Sequence, residues 1–393
     1  MGWRARPICR HGATHGCRNR APRAPTHSTG GRRPSRLGRT TTEGFMEILR
    51  ETLTGPGVWK GSDFASKDDV TVVLDAAQLA ELGEAVRAAL QAGHALDTLE
   101  REHFPLPKTE SLLRDVYDQL RSGQGIVILK GIDVGLYSQQ ELEMIYWGIG
   151  TYLGAGVSQS VLGDRLGHVK DFTATDTHAR AYRNKQELTP HTDSSDIVGL
   201  MCLRTARAGG MSIATSALAV HNELVARYPQ YLEPLYEGFP YHRRGEQLPG
   251  ESAVTPYRVP LFCWREGQLS CRYVRSYIET AARESKQPLT QLQTDALNCV
   301  ERLTYELAFE FYLDPGEIYL INNYTVLHAR TAFEDWQEPE RKRHLLRLWL
   351  AAPDWRAVDS SFVAARGGIA AQAGKLPSYQ GSFGSGRIAT APR

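Results

Sequence analysis

Cysteine is scarce and scattered in this chain: six in 393 residues, none in a CxxC pair, with Cys9 and Cys17 inside an arginine-rich N-terminal stretch. A chain of this length buries its own core, so a disulfide framework is excluded as its organising principle. Cys263 and Cys271 are the one pair that could face each other, across a hairpin from Phe262 to Tyr273, and reduced thiols are expected there. Long apolar runs are missing too. No stretch of about 18 apolar residues could span a bilayer, and no apolar h-region marks a secretory signal, so the expected location is cytoplasmic and off the membrane. Acids are nearly absent from the first 45 residues, which hold ten arginines against Glu43 alone. The remainder therefore carries 36 basic and 43 acidic side chains, a mildly acidic body that argues against a nucleic-acid-binding surface.

With 41% hydrophobic and 23% charged residues, the rest reads as an ordinary globular domain. Three parts are expected: a disordered basic leader over 1–45, a main domain over 46–355, and a loose Gly/Ser/Ala-rich tail over 356–393. The leader is open to three readings: a transit peptide, a nucleic-acid-binding arm, or upstream sequence with Met46 as the working start. In the body, Asp75 caps a helix carrying Leu79, Leu82, Val86 and Leu90 on one stripe, and a second helix runs from Glu110 to Arg121. Gly125 to Gly131 encloses a short buried strand, and Ser138 caps a third helix over 139–150. The polar stretch from Gly154 to Tyr182, with Gln159, His168, Asp171, Asp176, His178 and Arg180, is a candidate substrate mouth. Strands are expected over 197–203, 211–215 and 344–351, and helices over 223–236 and 289–313.

The chemistry centres on His191-Thr192-Asp193. On a strand, side chains two apart share a face, so one imidazole and one carboxylate can meet at a point. His328 follows the apolar run Ile318 to Ile321 and could be delivered to the same place by a late strand. Two neutral histidines and a carboxylate leave roughly three positions of an octahedral Fe(II) open. A His-x-Asp alone is weak evidence, since twelve histidines make about one such triplet expected by chance. His221-Asn222-Glu223 has the same form, but it opens a predicted helix, where residues two apart diverge by about 200°. Arg343 and Arg347 add weight. Four apart on a strand, they share a face, and Arg347 alternates with apolar neighbours, so at least one guanidinium is expected to face inward and demand an anion.

Leu188 to Leu200 around His191-Thr192-Asp193, the Gly209-Gly210-Met211-Ser212 turn, and His328 to Trp349 together resemble the TauD/TfdA-type, clavaminate-synthase-like Fe(II)/2-oxoglutarate dioxygenases, from about residue 100 to about 355. That resemblance implies an α+β, mainly β fold: a double-stranded β-helix (jelly roll) with helices packed outside. It implies His191, Asp193 and His328 as metal ligands, Arg347 on the C5 carboxylate of 2-oxoglutarate, and Arg343 near its C1 carboxylate or the substrate. Ser212, where a threonine is common in that family, would help hold the co-substrate. Arg272, Arg275 and Tyr277 lie in another family-like stretch, and Gln159 and Arg275 are the candidate substrate contacts. The implied reaction couples decarboxylation of 2-oxoglutarate by O2 to C–H oxidation of a small-molecule substrate, with a carboxylate-bearing metabolite preferred because of the arginines. Hydroxylation is the default outcome. Desaturation or cyclisation at the same iron, and a non-redox cupin-like metal protein, are the alternatives.

Overall fold

The computed structural model describes residues 47–172, 184–352, 355–363 and 367–372. The strands among these residues are β1 Thr71–Val73, β2 Ile126–Lys130, β3 Ala155–Gly156, β4 Leu166–Val169, β5 Leu188–His191, β6 Ile197–Arg204, β7 Ala208–Gly209, β8 Ser212–Ser216, β9 Phe262–Arg265, β10 Gln268–Cys271, β11 Phe309–Phe311, β12 Ile318–Asn322, β13 Val326–Arg330, β14 Phe333–Glu334 and β15 His344–Ala351. The helices are α1 Ala76–Gln91, α2 Glu110–Ser122, α3 Gln139–Thr151, α4 Ala217–Arg227, α5 Leu232–Glu237, α6 Arg275–Glu284, α7 Gln291–Glu306 and α8 Ser360–Val363. A large sheet runs β1-β2-β12-β6-β15-β3, with β4 also on β15, and a small one runs β11-β8-β13-β5. Mixed sheets flanked by helices are what the chain builds.

Strand alternation sorts the core into three layers. Along β15, Leu346, Leu348 and Leu350 face outward and pack with Leu82 and Val86 of α1, Val116 of α2 and Ile145 of α3. Leu345 and Trp349 face the other way, into an inner cluster shared with Ala214 of β8, Val326 of β13 and Phe309 and Phe311 of β11. On the far side of the small sheet, Leu327 packs with Leu224 of α4 and Val300 and Leu303 of α7. Two sheets thus enclose an interior, each backed by helices.

Two of the three early helices begin where their caps were read: Asp75 accepts from the N–H of Ala77 and Gln78, and Ser138 accepts from that of Glu141, while α2 starts at Glu110 as expected without a side-chain cap. Later elements differ from expectation. The single helix expected over 223–236 is two, because Pro229 has no N–H to donate and leaves Tyr228 non-helical at φ −140°. The long helix expected to 313 ends at Glu306. Beyond Leu307 the period changes from helical to twofold, with Phe309 and Phe311 buried and Glu310 exposed, and β11 pairs with β8.

The β9–β10 hairpin turns on Glu266 at φ 50° and Gly267 at φ 73°. Its register sets Cys263 against Ser270 and Cys271 against Phe262, so the two thiols lie on opposite faces, and every described cysteine is free. The described part of the expected loose tail is packed: Phe362 is buried and stacks on Tyr324. Among the described residues no helix is long and apolar enough to cross a membrane. The leader over 1–45 lies outside the described residues.

Candidate active site

Antiparallel pairing of β5 and β13 sets His191 directly opposite His328, which puts both imidazoles on the inner face with centroids 4.2 Å apart. β5 stops at His191, so Asp193 stands on the turn beyond the strand rather than on it. Its carboxylate still returns to the histidines: Oδ1 is 3.8 Å from His191 Nε2, and Oδ2 is 3.6 Å from His328 Nε2. One ligand atom from each of the three residues lies within 4.8 Å of the other two. Side chains fix the turn where strand bonds cannot. Asn323 Oδ1 accepts from Asp193 N at 2.8 Å, while its Nδ2 donates to the carbonyls of Asp193 at 2.7 Å and Ser195 at 2.6 Å. Arg272 donates to the carbonyl of Asp193 and, through Nη2, to Ser194 Oγ at 2.8 Å.

Protonation states follow from this packing. His191 Nδ1 lies 2.9 Å from the carbonyl oxygen of Thr189, which can only accept, so the proton sits on Nδ1 and Nε2 presents its lone pair. Burial, reinforced by His328, pushes the His191 imidazolium down to about 3 and keeps the ring neutral. Burial works against ionising Asp193, but the Arg347 guanidinium and the histidines outweigh it and hold the carboxyl well below the usual range. Trp349 Nε1 donates to Asp193 Oδ2 at 2.9 Å, and Arg347 Nη1 is 3.7 Å from the same oxygen. Two imidazole nitrogens and one ionised carboxylate, converging from one side, are a donor set that fits Fe(II).

The two arginines are not equivalent. Arg347 is buried beside the ligands and clasped by Gln159, whose Oε1 accepts from Arg347 Nε at 2.7 Å and whose Nε2 donates to the Arg347 carbonyl at 2.8 Å. Gln159 is therefore a support for Arg347. Arg343 is equally buried, and its Nη1 has no hydrogen-bond partner. Its guanidinium and that of Arg330 lie 5.0 and 4.7 Å from the ring centroid of Phe333. Burial pushes the Arg343 pKa down to about 10, and burial with the Arg343 charge pushes Arg330 down to about 9. Ser212 stands opposite Arg330 in the β8–β13 register, on the face that carries His328. The Gly209-Gly210 turn has φ of 70° and 74°, and a Cβ on Gly209 would meet the Ala332 carbonyl at 2.3 Å, so only glycine lets the chain pass this corner.

Other candidates fall elsewhere. Arg275 donates to Glu279 at 2.7 Å, to Glu301, and to Asn298 at 2.7 Å, which occupies its guanidinium and removes it as a substrate contact. His168 pairs across from Leu346, on the outer face, with Nδ1 2.9 Å from His344 Nε2, and Lys185 neutralises Asp171 at 3.3 Å. Asp176, His178 and Arg180 lie outside the described residues. His221 is buried within α4 against Tyr236 Oη at 2.9 Å, while Glu223 pairs with Lys60 at 2.8 Å, so that triplet does not converge. Asn323 and Trp349 went unread in the sequence. Trp349 had a signal, since it lies two residues beyond Arg347 on the same strand face.

Comparison with known proteins agrees with this geometry. A family profile described as taurine catabolism dioxygenase TauD, TfdA family matches residues 88–349. The chain is 30% identical over 337 residues to FR-33289 synthase of Streptomyces rubellomurinus, covering 84% of this chain and 99% of that protein. It is 29% identical to taurine hydroxylase-like protein SAT17 of Stachybotrys chartarum, over 74% of this chain and 77% of that one. Its fold is similar to asparagine oxygenase solved with Fe(II), 2S,3S-3-hydroxyasparagine and succinate, at TM-score 0.57, 18% identity and 72% and 93% coverage. It is also similar to the non-heme iron oxygenase OrfP with Fe and alpha-ketoglutaric acid, at TM-score 0.54, 16% identity and 76% and 99% coverage.

Proposed function

The chain belongs to the TauD, TfdA family of dioxygenases, and from that premise we propose that His191, Asp193 and His328 hold Fe(II) while Arg343 and Ser212 hold 2-oxoglutarate. The enzyme is an Fe(II)/2-oxoglutarate-dependent dioxygenase that oxidises a C–H bond of a small molecule, hydroxylation being the outcome. The observation that carries the reading is the convergence of two imidazole Nε2 atoms and an ionised carboxylate at one point. We further propose that the two facing sheets form a double-stranded β-helix, and that the catalytic unit runs from about residue 46 through the packed segment ending at 372.

Bound together, Fe(II), 2-oxoglutarate and O2 supply the oxidation, in which 2-oxoglutarate becomes succinate and carbon dioxide and one oxygen atom is left for the substrate. The chain's own residues do the rest. Thr189 fixes the His191 tautomer, Arg347 and Trp349 keep Asp193 ionised and aimed, and the apolar interior excludes water. The arginine roles expected from the resemblance exchange. Arg347 is committed to Gln159 beside Asp193, whereas Arg343 is buried with an unpartnered Nη1 next to a second guanidinium, which favours a carboxylate there. A carboxylate-bearing small substrate remains the preferred class. Two solved structures of similar fold are described with hydroxylated asparagine and arginine, respectively.

Anaerobic addition of Fe(II) and 2-oxoglutarate is expected to give a metal-to-ligand charge-transfer band, and succinate on exposure to O2. Asp193→Ala should lose both, and unchanged turnover in that variant would refute the triad. Arg343→Ala should weaken 2-oxoglutarate binding by about 30-fold or more, the cost of truncating one partner of a buried charge pair. Arg347→Ala should chiefly loosen iron. A reversed pattern in the two titrations would restore the roles first expected.

A further inference from the structure

Three apolar side chains packed against the inner cluster are only partly buried, Val157, Leu200 and Ile369, and together they mark where it reaches solvent. Leu200 is the cross-strand partner of Arg347, and the Val157 N–H donates to the Trp349 carbonyl at 2.9 Å. Arg347 and Trp349 are the two side chains of β15 that reach Asp193. The opening therefore lies beside the proposed metal centre, and Ile369 is the one of the three contributed by the C-terminal segment.

That segment, Gly367-Gly368-Ile369-Ala370-Ala371-Gln372, has no charged residue. It is laid across the loop that carries Gln159: Ile369 N donates to the Ser158 carbonyl at 2.9 Å, and Gln372 N donates to that of Val161 at 2.7 Å. Gln372 Nε2 reaches over to the Glu246 carbonyl at 2.9 Å. Gly368 has φ +77°, and a Cβ there would meet Ser158 O at 2.3 Å, so the close approach needs glycine. The segment is thus attached through backbone bonds, the Gln372 side chain and the apolar side chain of Ile369.

We propose that residues 367–372 are the apolar wall of the substrate mouth, with Ile369 the specificity-determining side chain that faces an apolar portion of the substrate. This rests on the dioxygenase reading, and the test separates the two. The probe is 2-oxoglutarate with ascorbate as reductant and no primary substrate, a turnover in which 2-oxoglutarate, O2 and ascorbate give succinate, carbon dioxide, dehydroascorbate and water. Ile369→Ala should keep the anaerobic charge-transfer band while substrate-free succinate formation rises several-fold, because water reaches the opened site. Gly368→Val, which displaces the whole segment, should do the same and speed amide hydrogen exchange at 369 and 372. Unchanged succinate formation in both variants overturns the wall. Loss of the band in Ile369→Ala also overturns it, since the segment would then belong to the co-substrate site. A wild-type protein with no band at all overturns the dioxygenase reading instead.

Discussion

Asp193 is the residue on which most of the site's electrostatics converge. It lies two residues past the end of β5 and is not held by a ladder, so Asn323 and Arg272 bond its backbone while Trp349 and Arg347 address its carboxylate. Partners of this kind orient a metal ligand without touching the metal. Trp349→Phe is therefore expected to lower Fe(II) affinity about 10- to 100-fold with thermal stability little changed, as measured by competition with a chelator. A second residue-scale expectation concerns acid. His344 is buried against His168 and Arg204, and burial, then those charges, push its pKa down to about 3. Its unfolded value is about 6.5. The unfolded chain therefore takes a proton that the folded one refuses, and stability falls as pH drops from about 6.5 toward 3. His344→Gln should flatten that part of the stability profile in denaturant titrations, and an unchanged slope would show that His344 does not set it.

At the scale of elements, what could be read from the sequence followed from period. The alternation along 344–351 set Arg347 apart from its neighbours Leu346 and Leu348, and the structure has that division, with Leu345 and Trp349 on the Arg347 face and Leu346, Leu348 and Leu350 on the other. Capped amphipathic helices were legible for the same reason, because both the cap and the stripe are local. β11 was not. Phe309 and Phe311 continue an apolar count that also suits a helix, and their twofold pattern acquires meaning only when β8 is there to pair with. Phe311→Ala is expected to cost about 3 to 5 kcal/mol in denaturant unfolding, the usual range for truncating a buried phenylalanine. A cost below about 1 kcal/mol, within surface-substitution range, would mean that the edge strand contributes little to the inner cluster.

For the molecule as a whole, two sheets enclose the inner cluster and helices back each sheet. A chain beginning at Met46 is expected to match the full chain in melting temperature and charge-transfer band, and a drop of several degrees would make the leader part of the folded unit. The sequence by itself determined the candidate ligand types, their order, and the inward face of the 344–351 strand, because residue chemistry and side-chain alternation are local properties of the chain. Only the tertiary structure decided that His191 lies opposite His328, that Gln159 grips Arg347 while Arg343 is left short of a partner, and that a C-terminal segment edges the opening. Those are relations between residues well over a hundred positions apart along the chain. No periodicity encodes them; they exist only once register and packing have brought the segments together.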